Sequence, residues 1–310
     1  MAYPQPKKSA GPVKPYAPLW VKSNFSFLQG ASHPEELVTE ARSKGLPALA
    51  LTDVDGVYGA VRAHVAAREH GQRLIFGTQL TVADVQPAGL GLGAANAGPV
   101  GAARPQRQAK PGLNLGGEGP LTTAAVALLR PQAPLLLAMN RQGWGNLCRL
   151  VTLGRRRCEK GACVASWREL AEHNAGLMLL VHRAETPVPT PALRMRAEAF
   201  GDRAHALVTR HRHADDAARQ QRLAATAQAL NWPLVAGTEV LYHTPTRRAL
   251  QDVLTAVRHT TSLDQAGDRL RANAVHDLKT PYAMAELFFD LPDALRRTLD
   301  VASRCTFRLD

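Results

Sequence analysis

Cysteine is scarce in this chain. Its four cysteines, Cys148, Cys158, Cys163 and Cys305, include no Cys-x-x-Cys pair. That spacing argues against a disulfide framework and against a zinc site, and leaves reduced thiols in a reducing compartment, so a cytoplasmic setting is expected. Long apolar runs are missing too. A stretch such as Ala133 to Met139 is far too short to cross a bilayer. Lys7, Lys8 and Lys14 lie within Met1 to Pro18, but no apolar segment follows to complete a secretory signal. No membrane association is expected. There is no Gly-x-x-x-x-Gly-Lys phosphate cradle and no Gly-x-Ser-x-Gly elbow, and the run Gly89-Leu90-Gly91-Leu92-Gly93 is low complexity rather than a dinucleotide fingerprint.

Acidic residues are in deficit: 26 Asp and Glu stand against 38 Lys and Arg, a net charge of +12. Such a surface suits a nucleic acid or another polyanion. It equally suits an arginine-rich composition with solvated faces and no defined contact. With 310 residues, 45% of them hydrophobic, the chain can bury one barrel-sized core.

Residues 1–16, rich in Pro, Lys and Ala, read as a loose tail. From there the pattern alternates. Strands are expected at Leu19 to Val21, Ala48 to Leu51, Leu74 to Phe76 and Gln79 to Val82, with helices over Pro34 to Lys44 and Val57 to His70. Residues 84–123 are dominated by Gly, Ala, Pro and Gln, without periodicity, and read as a disordered surface insertion. Order resumes with apolar runs at Ala124 to Leu129 and Leu135 to Ala138. Helices follow over Gly145 to Arg157, Trp167 to Glu172 and Asp215 to Leu230, with buried strands at Gly176 to Val181, Ala204 to Thr209 and Pro233 to Gly237. Six to eight strand–helix repeats predict an α/β fold with a largely parallel sheet, better closed into a barrel than left open. Beyond His243 the texture is helical.

In such barrels chemistry gathers at the carboxyl ends of the strands. Here those ends offer Lys22 and Ser23, Thr52 and Asp53, Gln79, and Thr238 and Glu239. His211 and His213 form a His-x-His pair flanked by Arg210 and Arg212, with no evident third ligand, and read as a solvated basic turn. Arg155, Arg156 and Arg157 with Lys160 form a basic cluster at a helix end, suited to the helix dipole or to DNA phosphates.

One stretch carries more than pattern. Ser23-Asn24-Phe25-Ser26-Phe27-Leu28-Gln29-Gly30-Ala31-Ser32-His33-Pro34-Glu35-Glu36-Leu37 reads as a turn and a helix opened by Ser32 as N-cap, and Ala48 to Asp53 as a buried strand ending in Thr-Asp. Together they resemble the opening of the PHP (polymerase and histidinol phosphatase) domain in bacterial error-prone DNA polymerases of the replicative alpha-subunit type. The segment Leu136 to Leu150, with its Gly143-Trp144-Gly145-Asn146-Leu147 step, Arg155 to Gly161, Leu250 to Arg258 and Ala302 to Phe307 are similar to further family segments. The resemblance implies a distorted (β/α)7-type PHP barrel over 17–244 and, over 245–310, a C-terminal helical extension leading to a polymerase module.

The family's phosphoesterase members hold a metal cluster on histidines and carboxylates that activates water. Matched residue by residue, Trp20 and Lys22 stand at the first histidine pair, Val54 follows Asp53 in place of a histidine, Gln79 replaces a glutamate, and Leu241 replaces the last histidine. Only Asp53 and Glu239 keep acids, with Asp55 and His243 nearby as weak metal candidates. No metal cofactor is expected for this chain. A Lys22–Asp53 or Lys22–Glu239 ion pair would fill the space instead. The resemblance implies an error-prone polymerase's N-terminal PHP region in damage-tolerant (translesion) synthesis, catalytically inert here. Magnesium would sit in the polymerase module, and that module, other damage-tolerance proteins and weakly bound, non-specific DNA would be the partners. Two alternatives stand beside it: a free-standing metal-dependent phosphoesterase or 3′–5′ exonuclease, and a nucleic-acid-binding module acting through basic charge alone.

Overall fold

A computed structural model describes residues 15–85, 120–129, 131–184 and 191–309. Its elements run in the order α1 (Pro34–Ser43), β1 (Leu49–Leu51), α2 (Ala60–His70), β2 (Leu74–Gln79), β3 (Val82–Ala83), α3 (Thr123–Leu128), β4 (Leu135–Ala138), α4 (Arg141–Arg157), β5 (Ala165–Ser166) and α5 (Trp167–Glu172). Then come β6 (Leu177–Val181), α6 (Pro191–Phe200), β7 (Ala204–Thr209), α7 (Asp216–Leu230), β8 (Leu234–Gly237), α8 (Arg248–Arg258), α9 (Leu263–Ala266), α10 (Pro281–Leu287) and α11 (Pro292–Arg304).

The main sheet has the order β1-β2-β4-β6-β7-β8. Its two edges are joined by residues 18–22. Val21 makes parallel bridges to Leu51 on one side and Val240 on the other. Lys22 N–H donates to Val240 O at 3.0 Å, and Ala50 N–H donates to Pro18 O at 2.9 Å. The expected first strand is thus an extended seventh stave, held by isolated bridges. One expectation changes: β4 runs antiparallel to both β2 and β6. Parallel neighbours need a crossover helix covering the sheet. After β2 the chain instead leaves the barrel as β3, which pairs with β5 in a separate two-stranded sheet, and α3 packs there through Val126 with Ala83, Cys158 and Val164.

Alternation along the staves sorts the core. Ala48, Ala50, Ile75, Leu135, Leu137, Met178, Leu180, Leu207 and Val235 form one buried cluster with Trp20 inside the barrel. Their alternates, among them Leu49, Leu51, Phe76, Leu136, Leu179, Ala206 and Val208, pack outward with helix residues such as Leu37, Leu147 and Leu223. Helix α11 belongs to the inner cluster through Val301 and Ala302, with Cys305 after it. Thr298 Oγ1 accepts from Ala17 N–H, Arg73 donates to the carbonyls of Ala302 and Cys305, Arg297 to Leu234 O, and Thr306 N–H to Met139 O. These partners are the starts of parallel staves and the end of the antiparallel one. Residues 292–306, in the helical extension, therefore close the lower mouth of the barrel.

Tyr16, assigned to the tail, is buried and donates to Lys279 O at 2.7 Å. Most of the 84–123 insertion lies outside the described residues, but its end is paired: Leu121 bridges Cys158, and Thr122 Oγ1 caps α3. At α1 the N-cap is His33 rather than Ser32, with Glu36 Oε2 accepting from His33 N–H.

The Gly-Trp-Gly-Asn-Leu step has a structural reason. A Cβ on Gly143 would sit 1.8 Å from Gly176 O, so α4 can touch the turn before β6 only with glycine there. Asn146 donates to Ala175 O, and the Trp144 ring stacks on Phe307 at 5.2 Å. Gly143→Ala is expected to destabilise the fold by about 3 kcal/mol or more, since backbone cannot yield as a side chain does. Gly145, open on all sides, should gain up to about 1 kcal/mol as alanine. Urea unfolding of both variants checks the contrast.

Candidate functional site

The upper mouth is built from loops at the carboxyl ends of the staves. The first, residues 23–33, is drawn tightly over the barrel: a Cβ on Gly30 would lie 2.1 Å from Ser23 O, and Ala31 N–H donates to Leu241 O. This turn cradles Asp53. Asp53 Oδ1 accepts from Ser23 N–H and Ser26 Oγ, each at 2.7 Å, and Oδ2 accepts from Ser23 Oγ at 2.8 Å. Burial pushes the Asp53 carboxyl up, against those three donors. The Ser-Asn-Phe-Ser motif is therefore a holder for this aspartate.

Trp20 and Lys22 point inward, two residues apart on one stave. Lys22 Nζ lies 2.6 Å from Glu239 Oε1 and 3.1 Å from Gln29 Oε1, with both charged side chains buried. Arg271 donates to Glu239 Oε2 at 2.9 Å. His276 Nδ1 donates to Glu239 O at 3.0 Å, and His211 Nε2 accepts from Glu239 N–H at 2.8 Å. The His211 and His276 rings stack at 4.5 Å and 12°. Burial alone would raise the Glu239 carboxyl, but Lys22, then Arg271 and His276, hold it far below the ordinary carboxylate range. Of the two ion pairs open to Lys22, the one to Glu239 forms.

On the other side, Trp20 Nε1 donates to Gln79 Oε1 at 3.2 Å, and the Trp20 ring packs on His182 at 4.4 Å. Gln79 and His182 border a cleft of about 860 Å³ that also exposes Ala133, Arg183 and Arg222. Val54 bridges Gln79, and Leu241 is buried with Ala31 and Tyr242. The weak metal candidates are dispersed. Asp55 accepts from Thr81 N–H and Oγ1, while His243 Nδ1 lies 2.7 Å from Ser32 Oγ.

A polynuclear metal cluster does not fit these donors. Among the described residues no three His, Cys, Asp or Glu side chains converge on a common point. His276 Nε2 is buried without a protein partner, but an ammonium already sits on the carboxylate beside that ring. A cation on Glu239 opposes a second one electrostatically.

Two site assignments change. Arg157 is buried, bonded to Val164 O and paired with Glu169, and Arg155 donates to the carbonyls of Asp55 and Ala162. Both brace α4 against neighbouring loops. Of the proposed DNA contacts only Arg156 and Lys160 face solvent. His211, expected in a solvated turn, is instead buried in the site. Sequence pattern alone does not mark His182, His211, His276 or Arg271 as site residues. The first two follow strands whose carboxyl ends mark the mouth. His276 and Arg271 arrive from the loop after α9, which carries no pattern.

The fold and mouth define an α/β barrel of the PHP class, and the PHP domain model matches residues 19–231; the chain belongs to this family. It is 37% identical over 304 residues to an error-prone DNA polymerase of Anaeromyxobacter dehalogenans strain 2CP-1, covering 95% of this chain and 23% of the relative. Proteins of the same description from Agrobacterium fabrum (33% identical) and Rhodopirellula baltica (32% identical) are covered to the same extents. The chain thus spans about a quarter of the length of these relatives. A crystal structure from Bifidobacterium adolescentis, described provisionally as a metal-dependent phosphoesterase, is similar at TM-score 0.44 and 14% identity, covering 74% of this chain and 88% of that one. A likeness of that size carries no chemistry over.

Breaking the Lys22–Glu239 pair tests the site. Glu239→Gln strands a buried ammonium and is expected to cost roughly 3–5 kcal/mol at pH 7. Its folded carboxyl is depressed, so the pair contributes fully above the unfolded value near pH 4.3 and is lost below it. The variant's deficit should shrink by pH 3. Lys22→Met with Glu239→Gln should cost less than the two single changes summed.

Four imidazoles provide a second check. Burial holds His182, His205 and His276 at about 4 and His211 at about 3. Unfolded histidines bind protons below about pH 6.5 that these folded ones refuse, so stability should fall as pH drops from 7 to 5. His276→Gln should flatten that slope in urea titrations at the two pH values.

Proposed function

We propose that this chain is the N-terminal PHP region of an error-prone DNA polymerase, acting as a catalytically inert scaffold for the polymerase part. The observation that carries the reading is Lys22 Nζ, paired with Glu239 at 2.6 Å where a phosphoesterase needs divalent charge. The serine cradle that occupies both oxygens of Asp53 supports it. So does the description of the relatives as error-prone DNA polymerases.

In this reading template-directed synthesis past damage, with its magnesium ions, belongs to the polymerase part. This region stabilises that part and touches other damage-tolerance proteins, in the cytoplasm. No helix among the described residues is long and apolar enough to cross a membrane. DNA contact by this region is weak, non-specific and steeply salt-dependent, with Arg156 and Lys160 among the exposed cations near α4. The free-standing phosphoesterase or exonuclease reading requires a water-activating metal cluster, which these donors do not fit.

The test is elemental analysis of the purified chain, with assays on phosphate esters and single-stranded DNA in manganese or zinc. Less than one tightly bound divalent ion per chain and no metal-stimulated turnover are expected. Two or more ions per chain, with turnover lost in Asp53→Ala, would overturn the scaffold reading.

A further inference from the structure

Helix α8 is inside out. Its polar residues Gln251 and Thr255 are buried, 3% and 7% exposed, and hydrogen-bond to each other. Leu254 and Ala256 pack inward, but its other large apolar residues, Leu250, Val253 and Val257, face solvent, 41%, 42% and 57% exposed. Positions 250, 253 and 257 share one stripe by helical spacing, and Leu263 of the neighbouring α9, 45% exposed, lies beyond its end. A helix burying amide and hydroxyl groups while showing leucine and valine to water is oriented against its own amphipathicity. That orientation makes sense when a second surface covers the outer face.

We infer that the Leu250–Val253–Val257 face of α8 is where the polymerase part of an error-prone polymerase docks on this region. The inference rests on the scaffold reading above. Three observations select this occupant. The relatives extend far beyond the match, which takes up 23% of their length, so most of such a protein lies outside this barrel. The stripe is aliphatic, with no aromatic ring to stack on bases and no cation within it, which disfavours nucleic acid. Exposed charges of both signs follow the stripe, Arg258, Asp264, Asp268 and Arg269, as at the polar rim of a protein–protein interface. The face also connects to the site, because Arg248 of α8 donates to Arg271 O and Arg271 holds Glu239. Docking on α8 would therefore brace the Lys22–Glu239 lock from outside.

The test joins this chain to the part of the Anaeromyxobacter dehalogenans relative that follows its matching region. Val253→Cys and, on α2, the exposed Val61→Cys are labelled with a thiol reagent in the joined protein and in the isolated chain, and read by peptide mass spectrometry. Labelling at 253 should slow by about tenfold or more on joining, as for a residue released only by local opening, while labelling at 61 stays unchanged. Equal labelling at 253 in a joined protein that unfolds in a single transition would overturn the face assignment and leave the scaffold reading standing. Two independent transitions with unchanged labelling would overturn both. Sedimentation of the isolated chain supplies a measurement independent of the joined protein. A monomer is expected, whereas a dimer dissolved by Leu250→Glu, Val253→Glu and Val257→Glu together would assign the face to a second copy and overturn the inference.

Discussion

Residues 18–22 are the constraint on which the barrel and its mouth depend. This short stave pairs on both sides, with Leu51 and with Val240, and so converts an open six-stranded sheet into a ring. Side chains alternate along it. Val21 packs outward among the helices, Trp20 turns into the interior, and Lys22 lies on the same inner side at the mouth. Closure and site chemistry are therefore one decision. The backbone that seals the ring also delivers an ammonium to Glu239.

That ammonium changes what the mouth is for. In a metal-dependent barrel the convergent carboxylates repel one another until cations arrive, which makes binding favourable. Here the repulsion is relieved from within, since Lys22 and Arg271 take the two oxygens of Glu239, and the serine turn satisfies Asp53. His211 and His276 are buried, with burial holding both imidazoles low, and serve as hydrogen-bonding and stacking surfaces. A buried ion pair of this kind contributes modestly to net stability but penalises any state in which one partner is missing. The mouth is fastened from within.

The lower mouth is closed with equal thoroughness by α11, which reaches the starts of parallel staves and the end of the antiparallel one. Composition alone marks that region as a helical extension, because nothing local distinguishes a plug helix from a linker helix. The same blindness applies to α4. Arg155 and Arg157 look like a phosphate-binding cluster in one dimension, yet their guanidinium groups satisfy buried carbonyls and Glu169.

By itself the sequence determined the elements and the chemistry each could carry. Strand–helix alternation is legible because burial imposes a period, and Trp20, Lys22, Asp53, Gln79 and Glu239 are legible because strand ends are punctuated by polar residues. Only the tertiary structure decided which groups meet. Lys22 and Glu239 are 217 residues apart in sequence, and whether Lys22 pairs with Glu239 or Asp53 turns on which carboxylate the serines had already satisfied. His276 and Arg271 reach the site from an irregular loop with no periodic signal, and the antiparallel direction of β4 shows only in its pairing with β2 and β6. Contacts at long sequence separation are set by closure of the ring, and local pattern carries no record of that geometry.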